Sequence, residues 1–127
     1  MGKGVGFFKK YLSEDEELLI ILDCTKESEY HIPVPKSLQG MFIPRFSVAF
    51  TNRGFHIASK TFETLNYQGT LYYNEINFFR FSIEDRSFTI THSNYSTSKF
   101  ENAEVKAKLK LTSIKEVFEY VEKTYEA

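Results

Sequence analysis

Three lysines near the C-terminus form the most regular pattern of charged residues in the sequence. Lys106, Lys108 and Lys110 alternate with apolar residues from position 105 to position 111, and this alternation predicts a strand with one dry face and one cationic face. Such a row of cations could bind anionic lipid or an acidic protein, together with Arg80 from a neighbouring strand. The alternative is a solvated edge strand, on which lysines discourage pairing with other sheets.

No group of residues points to catalysis or to a bound metal. The histidines have no Cys or carboxylate at the short spacings of a metal site, and no motif places a His beside the single thiol, Cys24. Glu84 and Asp85 are adjacent carboxylates, but they fall in a predicted tight turn, where Asp is favoured for local hydrogen bonds. The sequence therefore predicts a protein that is not an enzyme and that needs no cofactor. The three histidines are His31, His56 and His92.

Aromatic residues are abundant, with 13 Phe and 8 Tyr but no Trp. In a small bent sheet such side chains usually fill the core themselves. They could instead line an internal cavity, which leaves a carrier of a small molecule or a lipid as an alternative function.

Length and composition predict one globular domain over residues 1–127, with 42% hydrophobic and 26% charged residues. Sixteen Lys and Arg nearly balance 17 Asp and Glu, for a formal charge of −1. This balance disfavours nucleic acid as a partner, because generic binding to phosphates requires a basic excess. The single cysteine indicates a reducing compartment, and the longest apolar run, Leu18–Leu22, is too short to cross a bilayer. We therefore expect a cytoplasmic protein with no transmembrane segment.

Hydrophobic periodicity predicts a mainly β (α+β) protein with one helix at each end. A short amphipathic helix is expected within residues 1–12, and an amphipathic helix over 113–125 begins at Ser113, with Glu116 three residues later as in a capping box. Between them, apolar and alternating segments predict strands in series. The first of these strands is expected over 17–25, and a proline-containing loop over 26–44 follows it. Turns are expected at 51–54, 66–69 and 84–87, and a polar connection over 93–102.

Two segments carry a resemblance to a known superfold. The hairpin from Val48 to Ile57, with Thr-Asn-Arg-Gly at its turn, is similar to a hairpin of bacterial pleckstrin-homology (PH) and GRAM-like domains. The stretch from Leu71 to Phe79 resembles their Tyr-x-x-Ile strand entry, and residues 11–19 resemble the acidic leader before their first strand. The resemblance implies a strongly bent antiparallel sheet, or partly open barrel, capped by the C-terminal helix. The basic cluster of phosphoinositide-binding PH domains is missing from the first hairpin, where only Lys26 and Arg45 stand.

The resemblance and the missing catalytic groups together predict a non-catalytic interaction module. Its partner would be a protein or an anionic membrane surface, bound through loops and edge strands. Besides the carrier function, an oligomer-forming assembly subunit is a third possibility, with outward aromatic residues such as Phe78 as contacts.

Overall fold

A computed structural model describes residues 3–26, 45–62, 64–92 and 97–125. The loop predicted over 26–44, including His31, lies outside these residues except for Lys26. The elements, in chain order, are helix α1 (Lys3–Lys9), strands β1 (Leu18–Lys26), β2 (Arg45–Thr51), β3 (Gly54–Thr61) and β4 (Thr64–Tyr72), a 3₁₀ turn (Tyr73–Glu75), strands β5 (Ile76–Ser82), β6 (Ser87–His92) and β7 (Thr97–Lys108), and helix α2 (Ile114–Tyr125).

The seven strands form one antiparallel sheet in the order β4-β3-β2-β1-β7-β6-β5. Strand β1 lies at the centre and joins two meanders, β1 to β4 and β5 to β7. Its register against β7 shifts twice, between Ile21 and Leu22 and between Asp23 and Thr25. Such bulges bend a sheet and increase its twist, so the sheet curls into a half-barrel, which confirms the predicted fold class.

The main core lies on the inner face of the curled sheet and is closed by α2. The buried side of α2 consists of Val117, Phe118 and Val121, none of which is exposed to solvent. Phe118 contacts rings from three strand positions, with ring centroids 5.2 Å from Phe81 and 5.5 Å from Phe88. The predicted role of the C-terminal helix as a cap over the sheet is therefore confirmed.

The start of α2 is held by its own side chains. The Ser113 hydroxyl accepts a hydrogen bond from the Glu116 backbone N–H at 3.2 Å, as the capping pattern predicts. The Glu116 carboxylate accepts from the backbone N–H and the hydroxyl of Thr112, one residue earlier than the predicted reciprocal bond to Ser113.

A second, smaller core lies on the outer face of the sheet under α1. Val5 and Phe8 from α1 pack on Ile21, Ala49 and Ala58, which alternate along β1, β2 and β3 with residues of the main core. Both faces of this half of the sheet are thus covered, and the uninterrupted apolar run in β1 follows from that. Phe8 is fully buried in this smaller core.

Several predicted boundaries differ from the structure. The N-terminal helix ends at Lys9, because the chain turns at Lys10 and Tyr11. Residues 66–69 form no turn but continue β4, since Thr61 already pairs with Thr64 at the end of the β3–β4 hairpin. Residues 97–102 belong to β7, not to a polar connection, because they pair with β6 and β1. The strand also ends at Lys108, short of the predicted end at residue 111.

Candidate functional site: a groove beside the N-terminal helix

A groove of about 430 Å³ runs along the outer face of the sheet between α1 and the β3–β4 hairpin. We call it the outer groove. Its floor is apolar and includes Val5 of α1, Ile21 of β1, Leu65 of β4 and Ala107 of β7. The remaining lining residues are Gly4, Asp23, Arg45, Ser47, Lys60, Phe62 and Lys106.

Strand alternation places the charged residues around this floor. Asp23, Arg45 and Lys60 lie on the same face of their strands as the floor residue Ile21, since successive side chains point to opposite faces. Lys106 reaches this face through the bulge in β7. Ala107 pairs with Ile21 and Val105 pairs with Leu22, so Lys106 is the extra residue between them.

The carboxylate of Asp23 is already engaged. It accepts hydrogen bonds from the Ser47 hydroxyl at 3.0 Å and from the Lys60 ammonium at 2.7 Å. Among the described residues, no ion pair includes Arg45 or Lys106. Two cations at the groove are therefore available to an anionic group of a partner.

Phe62 stands at the end of the groove, at the reversal of the β3–β4 hairpin. Its side chain is 95% exposed, the highest exposure among the large hydrophobic side chains that the structure describes. Its backbone has a φ of 56°, a left-handed conformation that is unfavourable for a bulky residue. An exposed aromatic ring on a strained turn is a feature that packing within the chain does not account for, and such features concentrate at binding sites.

The segment that follows α1 is fixed to the sheet by a buried polar network. One carboxylate oxygen of Glu16, Oε2, lies 2.7 Å from His56 Nε2 and accepts a hydrogen bond from the Thr51 hydroxyl at 2.6 Å. The other oxygen accepts from the backbone N–H and the hydroxyl of Ser13, both at 3.1 Å. The side chains of Glu16 and His56 are at most 1% exposed. An ionised carboxylate can only accept hydrogen bonds. We therefore assign a hydrogen atom to Nε2 of His56, which makes this nitrogen the donor.

Two hydroxyl groups complete the network on the other side of the imidazole. The hydroxyl oxygens of Tyr67 and Thr70 each lie 3.0 Å from His56 Nδ1 and are hydrogen-bonded to one another. Tyr11, just after α1, stacks on the Tyr67 ring with centroids 3.8 Å apart. The segment between α1 and β1 is thus joined to β2, β3 and β4.

Hydrogen bonding decides the charge state of Glu16. Burial raises the pKa of this carboxyl, but the hydrogen bonds from Thr51, His56 and Ser13 and the charge interaction with His56 together outweigh it, so the net pKa is lowered. Glu16 is therefore ionised at neutral pH and holds its donors as an anion, which strengthens each hydrogen bond.

The four cations proposed from the sequence do not form one cluster. Lys106 lines the outer groove, whereas Lys110 lies beyond the end of β7 and its ammonium is 2.6 Å from the Glu17 carboxylate. The bulge also breaks the alternation, because Val105 packs on the main core while Ala107 packs under α1. Lys108 is exposed at the last position of the strand.

Arg80 lies on β5, separated from β7 by β6. Its partner across β5 and β6 is Thr89, and the partner of Thr89 on β7 is Lys99. Its guanidinium lies over the exposed ring of Phe78, 5.1 Å from the ring centroid. Arg80 therefore shares a row with Lys99 and not with the three lysines of the predicted ladder.

The other candidate groups have structural roles. Burial raises the pKa of the Cys24 thiol far above its usual range, so the reactive thiolate is disfavoured. Asp85 lies in the turn before β6 and accepts a hydrogen bond from the Ser82 hydroxyl. In the described ranges no group of three or more His, Cys, Asp or Glu side chains could hold a metal ion.

The interior of the half-barrel is filled by aromatic rings. The Phe88 ring lies 5.0 Å from Phe100, 5.5 Å from Phe118 and 5.7 Å from Phe50. A depression of about 280 Å³ is lined by residues of β3, β4, β6 and β7, including Ile57, Leu71 and Ile90. Its volume is close to the lower limit of about 300 Å³ for pockets that take a small molecule.

Comparison with known proteins supports the fold alone. No protein family and no curated protein matches the sequence. Among solved structures, the C-terminal domain of an unknown protein from Leishmania infantum aligns over 98% of both chains, with a TM-score of 0.59 and 13% identity. The linker-DH/PH domains of p115-RhoGEF align over 99% of this chain and 34% of theirs, with a TM-score of 0.51 and 10% identity. The curled sheet and its terminal helix thus fit a PH-like fold.

Neither of the two described helices has the length and apolar character needed to cross a bilayer.

Proposed function

We propose that this chain is a non-catalytic interaction module that binds a protein partner at the outer groove. The observation that carries the proposal is the 95% exposed Phe62 at the end of a concave, partly apolar surface. Exposed aromatic residues beside a pocket are typical anchors of protein interfaces. We further propose that residues 1–127 form one PH-like domain that acts in the cytoplasm. The sequence patterns at 48–57 and 71–79 favour the bacterial type of this domain.

The fixed wall of the groove supports the same proposal. Val5 and Phe8 pack α1 on the sheet, and Ser13 and Glu16 tie the following segment to β2 and β3, so the groove exists before a partner arrives. A preformed surface loses less conformational entropy on binding than one that must be ordered. The half-barrel fold contributes rigidity, and the partner specificity comes from the residues around the groove.

Selection of binding peptides tests this proposal. A library of random peptides displayed on phage is selected against the immobilised protein, and enriched peptides are measured by fluorescence anisotropy. Phe62→Ala is expected to weaken their binding about tenfold, since truncating an aromatic anchor of an interface typically costs more than about 1 kcal/mol. Because Phe62 is almost fully exposed, this substitution should leave the fold intact.

Phe78→Ala is the matched control, because Phe78 is also exposed but lies on β5 in the other half of the sheet. Its affinity for the same peptides should equal that of the unsubstituted protein. Enriched peptides that bind Phe62→Ala with unchanged affinity, or a selection that enriches nothing, would contradict the proposal.

A further inference from the structure

We infer that the outer groove recognises a protein segment in which a carboxylate side chain stands beside a large apolar side chain. This inference rests on the proposed function and adds the chemistry of the partner. Two features carry it, the apolar floor and two cations at the same groove that form no ion pair with another described residue.

The floor sets the apolar half of the recognised segment. Ile21 is fully buried and Val5 nearly so, while Leu65 and Ala107 are partly exposed within the groove. The volume of about 430 Å³ falls in the range of clefts that take a ligand group. An apolar side chain from a partner would contact Leu65 and Ala107, the partly exposed residues of this floor, and pack against Phe62.

The charges set the acidic half. The lining contains three cations, Arg45, Lys60 and Lys106, and one anion, Asp23, which leaves a net charge of about +2. Asp23 is occupied by Lys60, and both side chains of this pair are more than three-quarters covered. Arg45 and Lys106 therefore remain to pair with a partner carboxylate, and the guanidinium of Arg45 can do so with two parallel hydrogen bonds.

The same features argue against a bilayer as the occupant. Stable attachment to a membrane takes two strong signals, such as a lipid chain together with a polybasic patch. The groove offers a net of two positive charges and one exposed ring. A concave apolar floor is also suited to a side chain that enters it, and not to the surface of a bilayer.

Three pools of short peptides test the inference, each measured by fluorescence anisotropy. The first pool carries Asp or Glu beside Leu or Phe, the second replaces the acids by Asn and Gln, and the third replaces them by Lys. The acidic pool is expected to bind most tightly. Arg45→Gln and Lys106→Gln should each weaken it about two- to fivefold, the size of one exposed ion pair, and should reduce its dependence on salt.

Lys99→Gln is the matched control, because Lys99 is exposed on the same strand but does not line the groove. Equal binding of the acidic and the amide pools, with Phe62 still required, would overturn the inference and leave the proposed function standing. Loss of binding in Lys108→Gln equal to that in Lys106→Gln would assign recognition to the whole cationic strand and would also overturn it.

Vesicles of equal parts phosphatidylcholine and phosphatidylserine provide the last arm. The protein is expected not to sediment with them at physiological salt. Phe62-dependent sedimentation with these vesicles, without binding of any peptide pool, would overturn both the inference and the protein-binding function in favour of a membrane.

Discussion

The buried Glu16–His56 pair allows a quantitative test of how the segment after α1 is held on the sheet. Glu16→Ala would leave the Thr51 hydroxyl and the His56 Nε2 hydrogen without their acceptor, at a position where the side chains are at most 1% exposed. Each unsatisfied buried polar group costs about 1–3 kcal/mol, and removal of one member of a buried pair costs about 3–5 kcal/mol. We expect Glu16→Ala to lower the free energy of unfolding by about 3–5 kcal/mol.

Urea denaturation followed by circular dichroism measures this loss, with an unchanged dependence on denaturant as the sign that the folded state is intact. Asp15→Ala is the matched control. Asp15 is adjacent in sequence and pairs with Arg53, but both side chains are at least half exposed, so its loss should cost less than about 1 kcal/mol. Equal effects of Glu16→Ala and Asp15→Ala would show that this network does not fix the segment after α1.

Three further predictions concern the core, a close backbone contact and the effect of pH. Phe118→Ala should destabilise the fold by about 3–5 kcal/mol, because the ring is fully buried between α2 and the sheet. Thermal unfolding measures this loss, and a loss below about 1 kcal/mol would place the helix outside the core. Gly54→Ala should cost at least about 1–3 kcal/mol in the same assay, since a Cβ at this position would lie 2.3 Å from the Leu71 carbonyl oxygen, a backbone atom; an unchanged midpoint would contradict that contact. The stabilisation that Glu16 provides should be fully present above its ordinary pKa of about 4.3 and decline as the pH falls through its lowered folded pKa. Urea denaturation of the unsubstituted protein and Glu16→Gln should therefore show a stability difference that shrinks on acidification, and a constant difference would refute the ionised state of Glu16.

Local patterns in the sequence were sufficient to predict the elements whose determinants are close together. The hairpin at residues 51–54 and the helix from Ile114 depend on a turn sequence and on a cap with adjacent apolar periodicity, and both are confirmed. The turn expected at 66–69 was wrong for a physical reason. Its Asn and Gly fit a turn, but Asn66 pairs regularly with Ser59 of β3. The irregularity in β4 is a bulge at Gln68, between Tyr67, which pairs with Ala58, and Gly69, which pairs with Ile57.

The outer groove could not be predicted from the sequence, because it depends on contacts between distant segments. His56 alternates with Phe55 and Ile57, so the pattern alone places it on the solvent side of its strand. It is buried because α1 and the following segment cover that face, and its partner Glu16 is 40 positions away. The position of Phe62 likewise depends on where the hairpin reverses. The only signal available in the sequence was that Phe62 is a single aromatic residue within the polar stretch Thr61-Phe62-Glu63-Thr64.

Chemical-shift mapping of a bound peptide tests the central claim most directly. The ¹⁵N-labelled protein is titrated with the tightest peptide from the phage selection, and the backbone amide shifts are assigned to residues. Binding at the outer groove predicts the largest changes at Ile21, Phe62, Leu65 and Lys106, with small changes on β5 and β6. Changes concentrated instead at Phe78 and Arg80 on β5, or around Leu71 and Ile90 between the two halves of the sheet, would contradict the account.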